Sequence, residues 1–280
     1  MDIILDFWNK LSYFHIIFFS IILVIFLYIS ICCIRKLLKN DMDHIVISVP
    51  WDYRFLSIIF LLHILGIPCL FMPIFSLPLR IFLSSTIINH YITSMIIYEI
   101  VTVSYIFCVI MYIKKNFPLF QWKILGIKNF PCWDILKKII AYLCFFPWVI
   151  ASLLLSILVV TIFNYTPEEQ DIAKYVRNSS GIIFYIVVFI VLVLAPLTEE
   201  FLFRVIMYST IKKYFTVWQS IFISGVIFAL LHFNIFAFFP ILTLGMFLSY
   251  VYEKSQNYIT NCCIHSFHNL LALCYVLYVG

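Results

Sequence analysis

Long runs without an ionised side chain constrain this chain more than any other feature. Residues 11–34, 55–77, 139–163, 217–233, 236–252 and 259–279 contain no Asp, Glu, Lys or Arg, and 91–113 contains only Glu99. A helix of about 20 apolar residues crosses a bilayer. Backbone polar groups in hydrocarbon must find their partners inside the protein. With 181–197 added, the expectation is all-α: a polytopic transmembrane helical bundle of about eight spans. The fifth, 181–197, is expected to break at Pro196, with a short helix running on to about Tyr214. Composition agrees, since 65% of the 280 residues are hydrophobic and 11% charged, against about 45–50% and 25% in soluble domains. Asp2 and Asp6 stand where a cleavable signal would be basic, so no signal peptide is expected.

Lys and Arg set the orientation. Arg35, Lys36, Lys39 and Arg54 follow the first span. Lys114, Lys115, Lys123, Lys128, Lys137 and Lys138 follow the third, Lys212 and Lys213 the fifth, and Lys254 the seventh. The alternate loops are poorer: Arg80 after the second, and Lys174 and Arg177 against Glu168, Glu169 and Asp171 after the fourth. Odd-numbered spans should therefore end in the cytoplasm, with both termini outside. The net charge of +5 reflects these loops, and no nucleic-acid partner is expected. The membrane lipid bilayer is the expected partner. Nine cysteines occur without a CxxC pair, and Cys32-Cys33 and Cys262-Cys263 read as small apolar residues.

Against this background the stretch Thr198-Glu199-Glu200-Phe201-Leu202-Phe203-Arg204 is costly. A charge at the centre of a span costs roughly 2.5–3.5 kcal/mol on insertion scales. On a helix Glu200 and Arg204 stand four apart and share a face. Glu199 lies about 100° round and has no local partner. The other intramembrane polar groups are His232, in the sixth span four after Phe228, and His265, His268 and Asn269 in the last. His265 and Asn269 project from one face. Such groups must face the bundle interior and find partners. Sharing one cavity, they would provide a base, neutral donors and possible metal ligands. HExxH and GxSxG are absent, and no aspartate pair falls in the spans, which leaves glutamate with histidine. Glu99, His63 and His15 read as buried or interfacial structural residues, and His90 as the end of a helix.

The ordered set EExxxR (Glu199, Glu200, Arg204), FxxxH (Phe228, His232) and HxxxN (His265, Asn269) resembles the CPBP family of intramembrane proteases. This is the CAAX-protease and bacteriocin-processing group, also called Abi, with the type II CAAX prenyl endopeptidases as its best-known branch. Pro196, Phe203 and Gly245 echo the family, whereas Val205 stands where many members have glycine. The resemblance spans about Ile182 to Leu273 and divides the chain into N-terminal transmembrane helices and loops, 1–178, and a peptidase-like core, 179–280.

The resemblance implies an intramembrane endopeptidase acting on a peptide or prenylated protein. Glu199 would be the base that activates a water, and His232 would hold that water. His265 and Asn269 would stabilise the oxyanion. Glu200, Arg204 and Phe228 would support them. The family is often described as metal-dependent, and Glu199, His232 and His265 form an accepted zinc set of one O and two N ligands. Spacing alone does not separate metal from metal-free chemistry. A multi-pass protein of this kind would reside in the plasma membrane of a bacterium or the endoplasmic reticulum of a eukaryote. The alternatives are a non-catalytic immunity or scaffold protein on the same fold and, more distantly, a transporter.

Overall fold

The computed structural model describes residues 13–38, 49–72, 90–117, 121–127, 132–167 and 171–279. Every regular element among them is helical. In chain order these are α1 (Tyr13–Leu37), α2 (Tyr53–Leu61, continuing with π geometry over Leu62–Phe71), α3 (His90–Asn116), α4 (Cys132–Ile162) and α5 (Asp171–Asn178). Then come α6 (Gly181–Ile211), α7 (Val217–Leu230), α8 (Phe238–Ser255) and α9 (Tyr258–Val279). The ends of the second and first expected spans (73–77 and 11–12), the positions Lys39, Arg80, Lys128, Glu168 and Glu169, and the side chains of His15 and His90 lie outside what is described.

The sequence writes its own helix ends. Asp52 accepts from Arg54 N and Phe55 N, starting α2. Thr216 and Gln219 form a reciprocal capping box ahead of α7. Gln256, at φ 46°, closes α8 in the left-handed region.

The Lys- and Arg-rich loops meet at one end of the bundle. Trp51 Nε1 donates to Thr210 Oγ1 at 3.0 Å, and Lys213 Nζ donates to the Trp51 carbonyl. Tyr258 N donates to Gly126 O at 2.9 Å. The segment after α1 is thereby tied to the end of α6, and the segment after α3 to the one after α8. Lys212 and Tyr208 both bind Glu253, at 2.6–2.8 Å, and fasten the end of α6 to the end of α8.

Four helices are long and apolar enough to cross a membrane: Ser20–Leu37, Thr93–Asn116, Cys132–Ile162 and Gly181–Ile211. The expected count of about eight is thus met only in part among the described residues. α7 has 14 residues, about 21 Å at 1.5 Å per residue, short of the roughly 30 Å hydrocarbon core. α9 has the length, but Asn261, His265, His268 and Asn269 make it polar.

The expected break at Pro196 is also corrected. α6 runs through it by widening to π geometry over Ile190–Leu194. In that register Ala195 N bonds Ile190 O, and the next donor, for Val191 O, would be residue 196. Proline has no N–H, and Asn269 Nδ2 bonds Val191 O instead, at 2.9 Å.

α7 and α8 pack closely through small residues. A Cβ on Gly245 would stand 3.0 Å from Phe228 Cδ1 and 3.2 Å from Gly225 Cα, and one on Gly225 would stand 2.8 Å from Met246 Cγ. At Gly66 the nearest atom would be 3.6 Å away. Gly225→Ala and Gly245→Ala should therefore each destabilise the protein, by about 1–3 kcal/mol for overpacking. Gly66→Ala should be near neutral. Melting temperatures of the three variants in detergent check this, and equal melting at all three sites would contradict it.

Candidate active site

The acid pair sits on the second half of α6, where a π-helical stretch, Phe201–Tyr208, follows Glu200. Glu200 and Arg204 are both fully buried, with Arg204 Nε 3.1 Å from Glu200 Oε2. The contact is ionic, without the alignment of a hydrogen bond, and none of the three guanidinium nitrogens has a hydrogen-bond partner among the described residues. The guanidinium lies over the Phe228 ring at 4.8 Å, a cation–π arrangement that desolvation strengthens.

α9 completes the surroundings of Glu200. Asn261 Nδ2 donates to Glu200 Oε2 at 3.1 Å and to Leu248 O at 2.8 Å. His265 Nδ1 lies 2.9 Å from Glu200 Oε1. Both carboxylate oxygens of Glu200 are thus engaged. Asn261 escapes the motif reading, yet it was findable. It stands four before His265, which stands four before Asn269, so all three lie on one stripe of α9.

Glu199 is placed differently. Its side chain is 31% exposed, and Oε2 lies 3.8 Å from His265 Nε2, beyond hydrogen-bond length. That oxygen has no hydrogen-bond partner among the described residues. His265 therefore stands between the two acids, Nδ1 on the satisfied one and Nε2 toward the free one.

His232 lies outside any helix. α7 ends at Leu230, and His232 occupies the turn that follows, exposed, before Phe233 at φ 48°. This corrects the expected position inside a span: α7 is simply shorter than the apolar run. Phe228 links the parts, its ring centroid 4.7 Å from that of His232 and 5.9 Å from that of His265. His232 Nδ1 donates to Phe228 O at 2.7 Å, which leaves Nε2 as the free nitrogen. Asn269 points one amide N–H at Val191 O. His268 faces elsewhere, its Nδ1 2.6 Å from Tyr142 Oη.

The donor chemistry suits a metal. Metal-bound histidines hold their second nitrogen on a carbonyl or carboxylate, and His232 and His265 do so through Phe228 O and Glu200. Among the described residues no three His, Cys, Asp or Glu side chains gather at ligating distance.

Residues 181–271 match the family model described as type II CAAX prenyl endopeptidase Rce1-like. No curated protein and no solved structure matches the chain.

Proposed function

We propose that the chain, whose residues 181–271 match a type II CAAX prenyl endopeptidase-like family model and which has four helices long and apolar enough to cross a membrane, is an endopeptidase hydrolysing a peptide bond near the membrane with a water activated by Glu199. The observation that carries this is the division of labour in the acid pair. Glu200 is buried and fully engaged, while Glu199, the next residue, keeps a partnerless oxygen facing a histidine nitrogen.

In this reading Glu199 accepts a proton from the attacking water. His232 orients the water through Nε2. Glu200 accepts from His265 Nδ1, fixes the ring, and balances the positive charge of a doubly protonated His265. Nε2–H of His265 then donates to the oxyanion, with the second amide N–H of Asn269 beside it. Arg204 and Asn261 keep Glu200 in place, and Phe228 sets the spacing between the two histidines. Zinc, when bound, would be held by Glu199, His232 and His265 and would make the water more acidic. The natural substrates are prenylated CAAX proteins in a eukaryote, and peptides or membrane proteins in a bacterium.

The purified protein in detergent, given a fluorogenic farnesylated CAAX peptide and an unprenylated lipid-tethered peptide, should cleave at least one of them. Loss of activity on treatment with a chelator, restored by zinc, selects the metal mechanism, and retention selects glutamate alone. A well-folded protein that cleaves neither peptide moves the assignment to an immunity or scaffold protein.

A further inference from the structure

Glu200 is held by groups from α6 and α9, but Glu199 is not. Its Oε2 has no hydrogen-bond partner among the described residues, so the backbone that carries it sets the aim of that oxygen. The turn in question is where α6 changes register. Ala195–Glu200 has α geometry and Phe201–Tyr208 π geometry, and at the junction the Phe201 N–H is shared between Leu197 O and Thr198 O. One side chain from α9 grips this turn. Tyr258 Oη donates to Leu197 O at 2.6 Å, just ahead of Glu199, and its ring meets that of Phe201, just beyond, edge-on at 6.3 Å. Cys262, one turn further along α9, reaches Pro196 O only as a weak sulfur contact at 3.7 Å.

Tyr258 is itself held from outside the matched region. Its N–H donates to Gly126 O at 2.9 Å. Gly126 closes the 3₁₀ turn Trp122–Leu125, between α3 and α4, at φ 72°. A Cβ there would stand 2.9 Å from Tyr258 N, so glycine is what lets the loop come this close. We infer that Tyr258 is a positioning residue of the hydrolysis proposed above, and that the loop 122–127 fixes it. The inference rests on that proposal. Tyr258 touches α6 through a backbone carbonyl and a neighbouring ring, and it acts by holding the turn that aims Glu199 at the water. A reacting group misplaced by about 1 Å can cost about 10²-fold. Removing the hydroxyl leaves Leu197 O its bond from Phe201 N, so the helix persists while its tie to α9 is lost. The loop gives the N-terminal helices a part in the reaction.

The probe is whichever of the two peptides above the wild-type protein cleaves. Tyr258→Phe keeps the ring and should lower kcat about 10–10²-fold, with KM and melting temperature little changed. In a Glu199→Gln background the same substitution should lower the residual rate no further, because the group it aims is gone. A merely structural tyrosine would reduce both backgrounds by one factor. Gly126→Ala, which pushes on Tyr258 N, should also lower kcat. Gly181→Ala should not, since Gly181 has φ 58° but no atom within 4 Å of its Cβ position. Unchanged kcat in Tyr258→Phe, or equal loss in both backgrounds, overturns the inference and leaves the peptidase reading standing. Equal losses in the two glycine variants overturn the part given to the loop. A wild-type protein that cleaves neither peptide removes the peptidase reading, and the positioning role falls with it. Loss of kcat that requires Glu199 supports it.

Discussion

Glu199→Gln should lower peptide hydrolysis by about 10²–10⁴-fold, the range for loss of a general base, in a protein that still folds. The substitution keeps the size of the side chain and its ability to hydrogen-bond. Glu199 is partly exposed and makes no hydrogen bond through Oε2, so no buried network should collapse when its charge goes. The expected effect is therefore on turnover and not on stability. His232→Ala should be comparably severe if its Nε2 holds the water. Asn269→Ala should cost less in turnover, near the 10²–10³-fold typical of one oxyanion donor. It should also loosen α6, because Val191 O loses the side-chain donor it has in that register. The measurements are kcat on the cleaved peptide, with size-exclusion profile and melting temperature alongside. A folded Glu199→Gln protein with wild-type turnover would remove Glu199 from the chemistry.

Much of this arrangement could be read before folding, for identifiable reasons. Residues four apart on a helix share a face, so the Glu200–Arg204 pair and the isolation of Glu199 follow from helical geometry alone. The absence of charge over long runs is enough to specify membrane helices. The number of spans was less legible, because an apolar run does not state where its helix stops. α7 ends at Leu230 while the apolar run continues through the turn. Pro196 misled for a different reason. Its cost was removed by a residue 73 positions later, Asn269, whose amide replaces the missing N–H, and no local pattern shows that. Glu99 reads as a buried structural residue in an apolar helix, and it is buried on α3. Asn261 was visible in principle as the first member of the 261, 265, 269 stripe.

Arg204→Ala should cost the fold more than any other single change at the site, about 3–5 kcal/mol if removing one member of a buried pair strands the other. Arg204 has no exposure, and its charge faces Glu200 and the rings of Phe228 and Phe203. Without it Glu200 keeps Asn261 and His265 as partners. His265 would then be drawn onto Glu200 and away from Glu199, so turnover should fall together with stability. Lysine is a poor substitute, because a compact ammonium cannot lie flat over Phe228. The two effects can be separated. A Glu200→Leu/Arg204→Met double variant removes both charges, and apolar replacement of a buried pair is often neutral. It should melt above Arg204→Ala, the non-additivity expected of residues in contact. It should stay inactive, because His265 Nδ1 has lost the carboxylate that fixes its ring. Melting temperature and peptide turnover, measured on the same preparations, read the two separately. An Arg204→Ala protein that is monodisperse, melts with the wild type and cleaves at the wild-type rate would show that the pair supports neither the fold nor the site.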